Sequence, residues 1–262
     1  MQPIDQLLKT YDLERHKSSI IASFQSSIKM KKIQQNDNDI PLGSSKIGGS
    51  PDLPEEWEFP RNKESNLTFM LQVNLKDAKQ FDKNNVLPDI GILYLFYDVE
   101  EQPWGFEDEE GCFTVLYYNG DFSKLKRKDN PIKGEFSSLP SFNIAFESMV
   151  SIPEYLEDIN FLNEEEEENY WEFRQALMQP EDENGIMESA HYMLGAPMNI
   201  QNDVFEELFE DGEDPVLLFQ IDSDEEELGL MWGDSGMLYF CMEKEDLLKK
   251  QFDRVAFTLQ CY

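Results

Sequence analysis

Three short segments of this sequence occur twice, in the same order and at nearly the same spacing. Segment 48–51 resembles 194–197, segment 69–74 resembles 217–222, and segment 91–96 resembles 236–241, at offsets of 146, 148 and 145 residues. Three recurrences in register indicate duplication of a unit of roughly 90 residues. A unit of that size exceeds a solenoid repeat, so the pattern predicts two similar half-domains that pack together.

Runs of aliphatic and aromatic residues bounded by turn residues place the strands. We expect strands over 67–75, 91–99 and 112–119, and again over 216–222, 236–242 and 255–261. The predicted fold class is α+β, β-rich, with internal duplication into two related half-domains and an N-terminal helical arm. The expected boundaries in one compact unit are an arm over 1–40, a first β-rich half over 41–150, a helical connector over 151–188 and a second β-rich half over 189–262.

The helical predictions rest on apolar periodicity and on capping residues. Apolar residues spaced three or four apart predict one or two amphipathic helices over 3–31 and further helices over 151–179, 204–210 and 244–252. Ser151 and Pro153 suit a first helical turn, and Asn163 suits the N-cap of a second helix. The run Glu164 to Glu168 would then lie at the positive end of that helix.

The charge of the chain is strongly negative and unevenly distributed. There are 54 Asp and Glu against 22 Lys and Arg, and Arg174 is the one Lys or Arg within residues 134–243. Such a surface repels phosphate backbones, so we expect no nucleic-acid partner. It would suit a basic protein or a small cationic ligand, although high charge also serves solubility. No apolar run is long enough to span a bilayer, so no membrane partner and a cytoplasmic location are expected.

No catalytic or cofactor motif rises above background. Cys112, Cys241 and Cys261 lie in apolar contexts and are predicted to be buried free thiols. The two histidines, His16 and His191, lie far apart without a zinc motif, and His191 is interpreted as a structural residue. No phosphate-binding loop, nucleophile elbow or EF-hand loop is present. The sequence therefore predicts no metal and no cofactor.

Several polar and aromatic residues beside the repeated strands are candidate ligand-binding residues. They are Gln72, Trp104, Gln201, Gln220, Asp222, Trp232 and Asp234. Asp234 lies in a turn directly before a repeated strand, where its side chain would cap the turn or line a loop mouth. Trp104 and Trp232 could form an aromatic platform, although aromatic residues in strands are usually core.

These segments also carry a family resemblance. The motifs are Gly48-Gly49-x-Pro51-x-x-Pro54, Leu71-Gln72-Val73-Asn74, Pro103-Trp104-Gly105-Phe106, His191-x-x-x-Gly195-x-Pro197 and Trp232-Gly233-Asp234-x-Gly236. From about residue 40 onward the chain resembles the YwqG-like family of bacterial proteins, a domain of unknown function. The resemblance implies a β-rich α+β fold with internal duplication, no assigned activity and no known catalytic residues. Ala196 stands where the resemblance leads us to expect an aromatic residue.

Two functional hypotheses follow. The first is a binding or interaction module for a basic protein or a small cationic ligand, based on the acidic surface and the absence of a catalytic constellation. The alternative is a carboxylate-dependent hydrolase with a cleft between the two halves, because domain interfaces are preferred ligand sites. Hydrogen bonds from the Gln side chains to backbone at strand ends would make those residues structural, whereas a deep pocket holding them would favour the enzyme.

Overall fold

A computed structural model describes residues 3–62, 65–106, 109–131, 134–156, 163–181, 184–210 and 212–262. The strands are β1 Gln25–Gln34, β2 Lys46–Ile47, β3 Asp52–Pro54, β4 Arg61–Asn62, β5 Ser65–Asn66, β6 Thr68–Asn74, β7 Ile92–Tyr97, β8 Phe113–Tyr118, β9 Leu125–Arg127, β10 Phe142–Ser151, β11 Tyr192–Met193, β12 Pro215–Asp222, β13 Met237–Glu243 and β14 Ala256–Gln260. The helices are α1 Ile4–Thr10, α2 Lys17–Ala22, α3 Leu75–Ala78, α4 Glu164–Met178, α5 Val204–Leu208 and α6 Lys244–Lys249.

Most strands form a single antiparallel sheet of ten strands in the order β14-β13-β12-β11-β1-β10-β2-β6-β7-β8. At its centre β1 and β10 pair along their whole length, from Gln25 opposite Ser151 to Gln34 opposite Phe142. We call β2, β6, β7 and β8 the first wing, and β11, β12, β13 and β14 the second wing. Because β10 pairs with β2 and β1 pairs with β11, each central strand carries the wing that follows the other one in sequence.

The sheet curls until its two edges face each other across one apolar core. Phe113 in edge strand β8 lies 5.3 Å, between ring centroids, from Phe257 in the opposite edge strand β14. Tyr97 in the first wing meets Trp232, which precedes β13, edge-on at 5.6 Å. A β-bulge lies at the same place in each wing, at Met70 in β6 and Leu218 in β12. Bulges increase local twist, so this pair assists the curling of both wings.

The predicted strands of both wings are confirmed, with ends that differ by a few residues. Helices were predicted correctly for Val204–Leu208 and for Lys244–Lys249, although the second is shorter than expected. All three cysteines are free and buried, as predicted. The molecule is thus mostly β, with a large curled antiparallel sheet and a few helices.

The prediction of helix over 3–31 is only partly correct. Ile4–Thr10 and Lys17–Ala22 are helical, but Gln25–Gln34 forms the central strand β1. Ile28 and Met30 are buried on the sheet, whereas Lys29 and Lys31 are more exposed. This period of two is typical of a strand and outweighs the helical spacing that links Ile28 to the residues before it.

The connector prediction is also partly wrong. Ser151 is the last residue of β10 and does not begin a helix. The helix α4 is present, and the Asn163 side chain accepts a hydrogen bond from the Glu166 amide at 3.1 Å, which confirms the predicted N-cap. The glutamate run opens this helix, while Tyr170, Phe173 and Leu177 are buried against the core. Residues 157–162 of the predicted connector lie outside the described residues.

Within the described ranges, no helix combines the length and the apolar character needed to cross a lipid bilayer.

Candidate functional site

Two of the three candidate glutamines, Gln72 and Gln220, are buried and make matching hydrogen bonds to backbone. Gln72 Oε1 accepts from the Asp52 amide at 2.8 Å, and Gln72 Nε2 donates to the Ser44 carbonyl at 2.7 Å. Gln220 Oε1 accepts from the Met198 amide at 2.9 Å, and its Nε2 donates to the Ala190 carbonyl at 3.1 Å. Both side chains tie a loop to a strand, which is the structural role that such bonds indicate.

Asp222 belongs to a buried polar cluster around His191. Its Oδ2 accepts from the Ala190 amide and from Gln179 Nε2, both at 2.8 Å, and burial raises the pKa of this carboxyl to about 6. His191 Nδ1 accepts from the Asp222 amide at 3.1 Å, so the neutral ring carries its proton on Nε2, which lies 3.3 Å from Asp224 Oδ2. Burial, followed by the nearby charges of Lys32 and Lys29, lowers the pKa of His191 to about 3.

The other candidates lie apart from one another. Trp232 is fully buried and donates from Nε1 to the Asp222 carbonyl at 3.1 Å, so it cannot form an open platform. Trp104 is 37% exposed, and its carbonyl accepts from the Leu259 amide. The side chains of Gln201 and Asp234 are exposed. The structure therefore does not gather the seven predicted residues around one open cavity.

A large cavity lies over the centre of the sheet, and sequence reasoning missed it. This central groove has a volume of about 900 Å³ and runs between α1, α4 and the paired strands β1 and β10. Its walls include Leu7, Tyr11, Lys29, Lys31, Glu147, Met149, Trp171, Glu172, Gln175, Glu181, Met187 and Glu188. Its volume lies in the range of small-molecule sites, and its walls combine apolar with charged side chains.

Helix α4 is held over the sheet by contacts near its N-terminus and in its middle. Near its N-terminus, Glu166 forms an ion pair with Arg15, from the short 3₁₀ helix after α1. In the middle, Phe173 meets Tyr11 edge-on with ring centroids 6.4 Å apart. Trp171, on the same helix, stays 45% exposed beside the groove. An exposed indole on a fixed helix can pack against an apolar or cationic ligand.

The charges along the groove are unequal. Lys29 forms an ion pair with Glu188, and Lys31 lies 3.9 Å from Glu147, so both lysines already face carboxylates. In the described part of the chain, Glu172 and Glu181 form no ion pair, and both lie close to Tyr11. The pKa of Tyr11 is raised first by burial and then by these two negative charges. The groove is therefore lined by two aromatic rings, Tyr11 and Trp171, and by two carboxylates that form no ion pair among the described residues.

A model for a domain of unknown function, DUF1963, matches residues 45–261. The chain belongs to this family. No curated protein matches it. The DUF1963 match covers both wings, β10 and α4, whereas α1 and β1 precede it. The central groove is thus built by the DUF1963 region together with residues outside the matched region.

A second cavity of about 710 Å³ lies beside α5 and α6 in the DUF1963 region, and we call it the acidic cavity. It is lined mainly by carboxylates, namely Glu206, Glu207, Glu210, Glu213, Glu243 and Asp246, with Arg254 as a basic member. The pKa of Glu243 is raised, first by its hydrogen bond with Glu213 and then by burial and the neighbouring acids. Among the described residues, no cluster of three or more His, Cys, Asp or Glu side chains has an arrangement that could hold a metal ion.

Proposed function

We propose that this protein is a binding module whose ligand is a small organic cation with an apolar body, held in the central groove. The observation that carries the proposal is that Glu172 and Glu181 line the same groove as Tyr11 and Trp171, and that both carboxylates act on Tyr11. The carboxylates would pair with an ammonium group, and the rings would cover the apolar body. A cation over an indole face contributes about 0.5–2 kcal/mol, depending on how far it is desolvated.

The lysines of the groove do not favour an anionic ligand. Lys29 and Lys31 lie beside Glu188 and Glu147, so an incoming anion would have to displace those partners. It would also approach two further carboxylates and the strongly negative field of the whole chain. Charge selection is therefore the sharpest property that the proposal assigns to this groove.

We also propose that the scaffold arose by duplication, with related halves over 41–150 and 189–262. Support comes from the paired β-bulges and from the matching bonds of Gln72 and Gln220, which lie 148 residues apart. This would be the duplication that the YwqG-like resemblance implies. The central groove would then lie over β1 and β10, the paired strands that connect the two wings.

A basic protein is the second partner class that we propose, and the acidic cavity favours it. Glu213 and Glu243 share a hydrogen bond that would be replaced by ion pairs if a Lys or Arg side chain entered the cavity. A carboxylate-dependent hydrolase acting in the groove between the halves stays the alternative proposal. Mass spectrometry of a ligand recovered after incubation separates the two, because an unchanged mass indicates binding and a hydrolysed product indicates the enzyme.

The binding proposal is tested with two probes of similar size and opposite charge. Calorimetric titration of the intact chain with phenethylamine is expected to show binding, whereas 3-phenylpropionate is expected to show none. Glu172→Gln should weaken phenethylamine binding about tenfold, since it removes one charged partner. Glu226→Gln, at an exposed acidic position outside the groove, is the matched control. Equal binding of both probes, or equal effects of the two variants, would overturn the proposal.

A further inference from the structure

Lys46 in β2 and Tyr192 in β11 make the same contact in the two wings. Lys46 Nζ donates to the carbonyl of Ser50, and Tyr192 Oη donates to the carbonyl of Ala196 at 2.7 Å. In each case the acceptor lies four residues further along, in the turn that follows the strand. Both side chains are buried. The two residues are thus alternative solutions to one structural requirement.

A second pair of matching residues, Asp52 and Met198, shows the same contrast between a charged and a neutral side chain. The Asp52 carbonyl accepts from Tyr94 Oη at 2.7 Å, and the Met198 carbonyl accepts from Tyr239 Oη at 2.5 Å. Asp52 and Met198 therefore occupy matching sites. Lys46 and Asp52 in the first half are thus matched by Tyr192 and Met198 in the second half, and all four are buried.

The charges of the first wing form a connected cluster. Lys46 Nζ lies 2.8 Å from Asp37 Oδ1 and 3.8 Å from Asp52 Oδ1. Arg127 Nε donates to Asp52 Oδ1 at 2.9 Å. Burying such ions removes them from water, and neutral residues of similar size are often equally or more stable. The second wing shows that this scaffold accepts neutral residues, so stability alone does not explain the cluster.

The cluster borders a cavity at the turn that follows β2. This turn cavity, of about 630 Å³, is lined by polar residues that include Asp37, Asn38, Ser50, Arg127, Asp129 and Ser138. At the matching turn of the second wing, the hydroxyls of Ser27 and Ser151 lie directly against Gly195, and Ser151 Oγ accepts from the Ala196 amide at 2.8 Å. In the first half the Asp37 carboxylate fills the same place, since a Cβ built on Gly49 would lie 2.5 Å from Asp37 Oδ1. Both turns are therefore packed by polar side chains, and the charged one borders the turn cavity.

The hydrogen bonds and ion pairs of Lys46 and Arg127 determine which kind of ligand the turn cavity could bind. The Lys46 ammonium donates to Asp37 Oδ1 and to the Ser50 carbonyl and forms a longer ion pair with Asp52 at 3.8 Å. Arg127 directs Nε and both terminal nitrogens to protein oxygens, including the Ile40 carbonyl. Neither cation is arranged to hold an anion.

The groups that stay open are hydroxyls, amides and carboxylate oxygens. Asn38, Asp129 and Ser138 are exposed at the rim, and the Asp129 carboxylate uses Oδ1 to accept from Ser50 Oγ at 2.8 Å. A ligand that both donates and accepts hydrogen bonds through hydroxyl groups complements such a lining. We propose that the turn cavity binds an uncharged polyhydroxyl molecule such as a monosaccharide or cyclitol, and that the buried ionic cluster holds its floor in place.

The test uses saturation-transfer NMR on the intact chain with myo-inositol and glucose as probes and sulfate titration as the anionic comparison. We expect saturation transfer from the protein to at least one polyol. We expect no change in the chemical shifts of the protein when sulfate is added. Asp129→Ala should weaken polyol binding about tenfold, because it removes a charged acceptor. Asp253→Ala, at another exposed Asp, is the matched control.

Ser138→Ala provides a second rim variant, with a smaller expected loss, should Asp129→Ala affect folding. Absence of transfer to both polyols would overturn the proposal, as would binding of sulfate or equal behaviour of the Asp129 and Asp253 variants. Because phenethylamine binding is measured at a different cavity, this outcome does not depend on that of the central groove.

Discussion

Gln72 and Gln220 each use both ends of a buried side-chain amide to bind backbone on either side of a short strand, β2 for Gln72 and β11 for Gln220. In each case Oε1 accepts from an amide after that strand and Nε2 donates to a carbonyl before it. Gln220→Leu would leave the Met198 amide and the Ala190 carbonyl buried and unpaired. We expect the free energy of unfolding to fall by about 2 kcal/mol, the usual penalty for such groups.

Urea denaturation measures this loss, with Gln201→Leu as the control because the Gln201 side chain is exposed. Gln72→Leu should cost at least as much as Gln220→Leu, since Gln72 Nε2 also donates to Asp52 Oδ2 at 2.9 Å. Equal midpoints for the Gln201 and Gln220 variants would show that these bonds add nothing to stability.

Lys46 and Tyr192 should respond very differently to loss of their polar atoms. Among the described residues, Lys46→Met leaves Asp37 and Asp52 with Arg127 as their one cationic partner, so a cost of about 3–5 kcal/mol is expected. Tyr192→Phe removes one neutral hydrogen bond and should cost about 1 kcal/mol. Denaturation of the two variants under identical conditions makes the comparison, and similar losses would contradict a charged cluster in one wing alone.

Gly195 is required by its close neighbours as well as by its backbone. Its φ is +77°, and a Cβ built on it would lie 2.0 Å from Ser27 Oγ and 2.3 Å from Ser151 Oγ. Gly229 has a φ of +69° with nothing within 4 Å, so it isolates the backbone cost. Gly229→Ala should lose about 1–2 kcal/mol and Gly195→Ala distinctly more. Thermal unfolding of both variants tests the difference, and equal losses would show that the serines move aside freely.

His191 and Asp222 should give opposite responses to acid. The pKa of His191 is lowered to about 3 from its ordinary 6.5, so the unfolded chain takes up a proton in this interval that the folded chain does not. Its contribution to stability is therefore complete above pH 6.5 and is lost as the pH falls towards 3. The pKa of Asp222 is raised to about 6 from 3.8, so the folded chain holds the extra proton there and gains stability as the pH falls.

These two slopes oppose each other between about pH 4 and 6, and single variants should separate them. Relative to the parent chain, His191→Asn should lose less stability between pH 6.5 and 4.5. Asn does not titrate in this range, so the variant lacks the acid-dependent loss that the lowered pKa of His191 causes. Asp222→Asn should lose more over the same interval. Urea midpoints measured across this range give the slopes, and unchanged slopes in both variants would contradict the assignment.

The sequence was informative where local pattern decides structure. Runs such as Leu71 to Asn74, bounded by turns, became strands of the wings, and Asn163 capped its helix as predicted. Strand β1 was missed because Ile21, Phe24 and Ile28 imitate a helical face. What makes it a strand is pairing with Phe142–Ser151, more than a hundred residues away, which a local pattern cannot reveal.

The candidate site was harder to predict for the same reason. The central groove draws Tyr11, Lys29 and Trp171 from separate elements that meet only after β1 and β10 pair. The alternation of Ile28, Lys29, Met30 and Lys31 was the available signal, since it sets both lysines on one face of a strand. The glutamines did mark special positions, but a sequence does not show that backbone groups already satisfy them.

The most direct test of the binding proposal is a crystal structure of the chain soaked with phenethylamine. We expect density for phenethylamine in the central groove, with its ammonium within hydrogen-bonding distance of Glu172 or Glu181. Its ring should lie against Trp171 or Tyr11. Density in the acidic cavity alone, or an unchanged central groove at saturating phenethylamine, would contradict the proposal.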